Sequence, residues 1–171
     1  KVCGTVEGGG VIGEKGVTKQ VDLLKKFGIV DGETILCPGL NGKLDEIRSA
    51  IGILNLKNIS EAINKRKKIA EYYLEHLNIS GIRLPKYKEN IEYNYSYFPI
   101  YVNKNQYGLT RDELFTKFRN NNILVRKYFY PLLDNSDNLV NAKRLADSVL
   151  CLPIYPDLTN PEDIVKVICE F

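Results

Sequence analysis

Two stretches combine residue types that can do chemistry at short spacing. In Pro38-Gly39-Leu40-Asn41-Gly42-Lys43-Leu44-Asp45-Glu46, two glycines free the backbone while Asn41 and Lys43 offer side-chain donors. A helix following this turn would aim unpaired N–H groups back at it, which is the chemistry of an anion site and suits a phosphate. The same pattern is also a common way to begin a buried helix. In Arg126-Lys127-Tyr128-Phe129-Tyr130, two cations and two phenols arrive together. Arg126 has the planar fork that grips a diphosphate or carboxylate with two hydrogen bonds, and the plain alternative is an exposed strand cation beside core aromatics.

Other chemistry-bearing residues read more simply. Glu7-Gly8-Gly9-Gly10 is a turn before it is a phosphate cradle, because a lone glycine run is weak evidence for a ligand. His76 has no cysteine, histidine or acidic ligand set around it and reads as a surface histidine. Cys3, Cys37, Cys151 and Cys169 form no C-x-x-C pair and each sits in an apolar run, which predicts free thiols in a reducing compartment and no metal site. The Lys65-Arg66-Lys67-Lys68 run lacks interleaved aromatics and shares its helix with Glu61, Glu71 and Glu75, so it is expected on a solvated face.

The elements that position these residues follow from periodicity. Val2 to Gly13 predicts two short strands around the glycine turn. Val17, Val21, Leu24 and Phe27 predict an amphipathic helix over Gly16 to Phe27, stopped by Gly28, and Asp31-Gly32 predicts a turn. From Lys43 to about Leu77 the apolar positions recur at helical spacing, giving one long helix or two with a bend near Asn58-Ile59-Ser60. After Gly81 the pattern turns to strands, Ile82 to Pro85 and Tyr93 to Val102. Thr110-Arg111-Asp112-Glu113 carries a capping-box signature for the next helix. A strand over Ile123 to Tyr130, a helix over Asn138 to Val149, a strand over Leu150 to Tyr155 and a helix from Asn160-Pro161 to Ile168 complete an α/β pattern with a small mixed sheet.

Bulk properties bound the function. The 171 residues are 44% hydrophobic, enough for a globular core, and 24 basic against 21 acidic residues leave a net charge of only +3. Such a mixed surface gives no reason to expect nucleic acid, while an anionic small molecule stays open. No apolar run approaches the ~20 residues needed to span a bilayer, so a cytosolic protein without a membrane partner is expected. The chain lacks methionine and opens directly on an apolar β-like run, Lys1-Val2-Cys3-Gly4-Thr5-Val6, which is the expectation for a fragment whose first strand continues something upstream.

Four separated motifs carry a resemblance. Lys1-Val2-Cys3-Gly4-Thr5-Val6-Glu7-Gly8-Gly9 with Leu23 to Ile29, then Gly39 to Gly52, then Arg126 to Leu132, then Leu150 to Thr159 resemble, in the same order, the DegT/DnrJ/StrS class of pyridoxal-phosphate sugar aminotransferases. The resemblance implies an α/β fold: the small C-terminal domain of a fold type I transferase dependent on pyridoxal 5′-phosphate (PLP), plus a remnant of the large domain. Residues 1–37 would be that remnant and 38–171 the small domain, beginning with a long helix. It implies a homodimer with active sites at the subunit interface, glutamate as amino donor, and a keto group on a nucleotide-linked deoxysugar as acceptor.

Residue by residue, the resemblance gives Lys1 the Schiff base with the cofactor and the proton shuttle of transamination. Asn41 reaches the cofactor phosphate of the partner subunit, and Lys43 has an accessory role toward phosphate or substrate. Arg126, Tyr128 and Tyr130 lie near the sugar-nucleotide pocket. Whatever the family places before the lysine is missing from the 171 residues, so taken alone they are expected to be catalytically inert. Two alternatives stay open: a stand-alone dimerising α/β interaction module, and a related PLP-dependent sugar dehydratase, in which histidine replaces the lysine.

Overall fold

The structure is a computed structural model that describes residues 2–134 and 137–170. Its chain contacts divide it into two compact units, Cys3–Ile59 and the residues from Ser60 onward. In the first unit the helical stripe of Val17, Val21 and Leu24 forms α1, Lys15–Leu24. The helix stops three residues before the expected Phe27 because other backbone takes over its end. Leu40 N donates to Leu24 O at 2.9 Å and Gly42 N to Lys25 O at 2.9 Å, while Phe27 and Gly28 take left-handed φ of 64° and 74°. A Cβ at Gly28 would lie 1.9 Å from Cys37 O, so only glycine fits.

The predicted strands over Val2 to Gly13 do not form. That segment has no ladder partner among the described residues, and its glycine-rich stretch stays irregular. Asp31-Gly32 turns the chain as expected: Asp31 Oδ1 accepts from Thr34 N at 2.7 Å and Glu33 N at 3.1 Å, with Gly32 at φ 91°. The helical pattern after Lys43 resolves into two helices, α2 over Glu46–Lys57 and α3 over Ile59–His76, broken at Asn58. Helix α3 opens the second unit.

That unit is built on a three-stranded sheet. Strands β1 (Ile82–Arg83), β2 (Phe98–Val102) and β3 (Val149–Leu152) pair in the order β1-β2-β3, antiparallel throughout, so the expected mixed sheet is corrected to an antiparallel one. Strand β1 reaches only Val102 and Tyr101, which leaves Pro99 outside that pairing, as a residue without an N–H requires. Residues 93–97 stay out of the sheet, and Tyr87, Tyr93 and Tyr95 cluster edge-on there instead. The predicted strand over Ile123 to Tyr130 is a loop that touches β3 at one bridge, Arg126 to Cys151. Of its apolar side chains Val125 is buried, whereas Leu124 and Phe129 stay exposed.

Helices α4 (Lys104–Tyr107), α5 (Arg111–Asn120), α6 (Val140–Ser148) and α7 (Pro161–Cys169) complete the unit, with a 3-10 turn over Asp137–Leu139. The capping box at Thr110 is present in full: Glu113 N donates to Thr110 Oγ1 at 3.1 Å and Thr110 N to Glu113 Oε2 at 2.7 Å. Tyr73, Leu77, Phe98, Ile100, Leu114, Phe118, Leu150 and Ile168 are fully buried and form the core. Each such apolar side chain is worth roughly 1.5–3 kcal/mol against exposure.

One member of the basic run is not where it was expected. Arg66 is only 6% exposed, its Nη1 donating to Ile154 O at 2.6 Å and Tyr95 O at 3.4 Å. Position 66 lies three residues from both Ile63 and Ile69 and so falls on the buried stripe of α3. Nη1 bonds carbonyls, which offsets part of the cost of burying a lone cation, while Nε is buried without a hydrogen-bond partner among the described residues. Lys65, Lys67 and Lys68 are exposed as expected.

Candidate functional site

The turn at Pro38 to Glu46 works differently from a phosphate loop feeding a helix. Its backbone donors Leu40 N and Gly42 N are spent on the last carbonyls of α1. Its glycines serve that close approach: a Cβ at Gly39 would meet Gly28 N, Leu24 O and Phe27 C, all at 2.5 Å, and one at Gly42 would meet Leu40 Cδ1 at 2.8 Å. The start of α2 is not open either. Asp45 caps it, Oδ1 accepting from Arg48 N at 2.8 Å, and Glu46 adds a second carboxylate to the first turn. The carboxylates of Asp45 and Glu46 thus already occupy the first turn of this helix, where the sequence alone points to a bound anion.

What remains for a phosphate is side-chain chemistry. Asn41 is exposed, its backbone pinned by a bridge to Lys26, and no side-chain hydrogen bond among the described residues engages its carboxamide. Lys43 is exposed with its Nζ 5.8 Å from the centroid of the Phe27 ring. A carboxamide and an ammonium two residues apart fit one edge of a phosphate monoester and not a whole cradle, so further donors must come from elsewhere. Lys1 lies outside the described residues.

In the second unit, Arg126, Tyr128 and Tyr130 are brought together. They line one cavity of about 520 Å³ with Phe115, Leu124 and Leu133. The backbone of Arg126 is locked to β3, Arg126 N donating to Cys151 O at 3.2 Å and Cys151 N to Arg126 O at 2.7 Å. With Val125 buried at 1% exposure, the alternation along the chain turns the Arg126 side chain outward. Tyr128 is half-buried, edge-on to Tyr97 at 5.4 Å and stacked on Phe129 at 4.9 Å. Burial pushes the thiol of Cys151, beneath this loop, up to about 11, so it is no nucleophile.

A charge network missed in the sequence holds this loop. The ring of Tyr130 lies 4.6 Å from the Arg111 guanidinium and 5.9 Å from Lys127 Nζ. Arg111 is 4% exposed, donating to Ala146 O at 2.8 Å and to Asp112 Oδ1 at 2.7 Å. Lys127 also donates to Asp112 Oδ1 and covers the Phe115 ring at 4.4 Å. Hydrogen bonding from Lys127 first, and from Arg111 second, holds the Asp112 carboxyl below the usual carboxylate range. The two site groups fall in different units: Asn41 and Lys43 in the first, Arg126, Tyr128 and Tyr130 in the second.

Comparison with known proteins identifies the family of the chain. The DegT/DnrJ/EryC1/StrS aminotransferase family profile matches residues 1–171, and the chain belongs to that family. It is 44% identical over 174 residues to a dTDP-4-amino-4,6-dideoxy-D-glucose transaminase of Escherichia coli, covering 94% of this chain and 46% of that protein. A Shigella dysenteriae protein of the same name is 35% identical, covering 99% of this chain and 50% of that one. The chain thus spans about half the length of the curated relatives it matches. Among solved structures, DesV of S. venezuelae, in complex with a ketimine intermediate, superposes with a TM-score of 0.84 at 22% identity, over 94% of this chain and 45% of that one. Such a likeness speaks for the fold.

Proposed function

We propose that the complete protein transfers an amino group from glutamate to the keto group of a dTDP-linked 6-deoxyhexose, with PLP as cofactor, giving a 4-amino-4,6-dideoxy sugar nucleotide. The observation that carries this reading is the 44% identity, across nearly the whole chain, to a dTDP-4-amino-4,6-dideoxy-D-glucose transaminase. When bound, the cofactor supplies the electron sink and carries the amino group between the two substrates. Lys1 is the amine that would hold it and move the proton. A lysine at this position speaks for transamination over the dehydratase alternative.

In the same reading, residues 1–37 belong to the large domain and 38–171 to the small one. The protein is a cytoplasmic homodimer serving nucleotide-sugar and polysaccharide biosynthesis. Asn41, assisted by Lys43, contacts the cofactor phosphate of the partner subunit. The exposed, unengaged carboxamide of Asn41 supports a contact outside its own unit. Arg126 grips the sugar-nucleotide diphosphate as a two-pronged donor, while Tyr128 and Tyr130 flank it and exclude water.

The test is the first half-reaction. Adding glutamate to the PLP-loaded complete gene product is expected to bleach the visible band of the lysine-bound cofactor. A band unchanged at saturating glutamate, in folded protein, refutes the aminotransferase reading.

A further inference from the structure

A larger cleft, of about 970 Å³, sits at the edge of the sheet and shares no lining residue with the cavity around Arg126. One wall follows from strand register. Arg83 and Tyr101 are direct cross-strand partners, so the guanidinium comes to rest over the phenol ring, 4.0 Å from its centroid. An arginine held on an aromatic face keeps its edge N–H donors available and has lost part of its rotamer freedom before any ligand arrives. The other wall is α6, which presents Asn141, Arg144 and Ser148.

The rim is the α4 turn, with Lys104, Asn105 and Gln106 lining the cleft. It is fixed to the sheet: Asn103 N donates to Gly81 O at 2.8 Å, and a Cβ at Gly81, whose φ is +82°, would lie 2.3 Å from Tyr107 N. No Asp or Glu lines the cleft. Elsewhere cations such as Lys25, Lys65, Arg111 and Lys127 sit within 4.0 Å of a carboxylate, but among the described residues neither Arg83 nor Arg144 does. Lys104, whose charge also reaches Glu113, adds a third cation. In a chain with a net charge of only +3, three cations and several carboxamides around one acid-free cleft form a local anion-binding surface.

We propose that this cleft, between the Tyr101-backed Arg83 and the α6 residue Arg144, binds a small phosphate-bearing anion of diphosphate size. The two guanidiniums supply charge-assisted forks and the carboxamides supply neutral donors, and the volume suits a ligand as large as a nucleotide. The proposal does not rest on the roles given to the residues around the Arg126 cavity, with which the cleft shares no lining residue.

The probe is inorganic pyrophosphate, titrated into the purified protein and followed by phosphorus NMR. Saturable binding is expected, weakened at least about tenfold in Arg83→Gln/Arg144→Gln by loss of two charge-assisted contacts. Arg144→Gln alone, on an exposed helix face, is expected to lose part of the affinity while keeping wild-type circular dichroism and melting temperature, which covers any disturbance of the sheet by the double change. The charge-matched Lys57→Gln/Lys68→Gln is expected to keep the binding, and in Arg126→Gln the part of the binding that depends on Arg83 and Arg144 is expected to persist. Equal weakening by the charge-matched pair, loss in Arg126→Gln with retention in the double variant, or no saturable binding by wild type would each overturn the proposal.

Discussion

Two charged residues show how much the surroundings decide a side chain's role. Asp112 receives hydrogen bonds from Lys127 and Arg111 and titrates below its ordinary value. A carboxyl whose pKa is depressed on folding stabilises the fold above its unfolded value of about 3.9, and that stabilisation is lost as pH falls through the folded value. Its side chain is 62% exposed, so solvent screens the pair and the contribution is modest, about 0.5–1 kcal/mol. Asp112→Asn should therefore lower the urea midpoint at neutral pH, and the gap from wild type should close in acid well below the ordinary aspartate value. An equal gap at both pH values would contradict the ion-pair account.

Arg66 makes the opposite case. Removing its guanidinium leaves Ile154 O without its 2.6 Å donor and opens space in a buried stripe. Arg66→Ala should cost about 2–4 kcal/mol in urea unfolding, from one unmet buried carbonyl and the lost packing. Lys67→Ala, one position along and exposed, should change stability by less than about 0.5 kcal/mol. Similar effects of the two changes would return Arg66 to the solvated face.

At the scale of elements, what was legible in the sequence was local. The capping box at Thr110, the Asx turn at Asp31 and the break near Asn58 each depend on residues within four positions of one another. Thr110→Ala should accordingly lower stability by about 1 kcal/mol, read as a shift of the urea midpoint without a change of slope. What failed depended on distant backbone. The spacing of Phe27 fits the helix, but the Leu40 segment claims the end of α1 from sixteen residues away in sequence. The 123–130 stretch has strand composition, yet only Arg126 finds a partner on β3. The turn at Pro38 to Glu46 has the composition of a helix opening, whereas its amides close α1 and Asp45 does the capping of α2. Asn41 and Lys43 stand out in the sequence because their types announce donors; the pairing of Asp112 with Lys127 does not, since it crosses fifteen residues of sequence.

At the scale of the whole molecule, two units carry two sets of candidate residues, and family membership joins them into one reading. The first unit leaves Ile12, Ile35, Leu36, Leu40 and Ile47 more than 60% exposed, while the second buries a continuous core. That contrast accords with the chain spanning about half the length of its relatives. The central claim is amino transfer to a dTDP-linked 6-deoxyhexose. Its most direct test is mass spectrometry of the sugar nucleotide after incubating the complete gene product with PLP, glutamate and the dTDP-linked 4-keto-6-deoxyglucose. The account predicts a 4-amino-4,6-dideoxy sugar nucleotide formed in step with 2-oxoglutarate. Unchanged keto sugar in the presence of folded, PLP-loaded protein would contradict it.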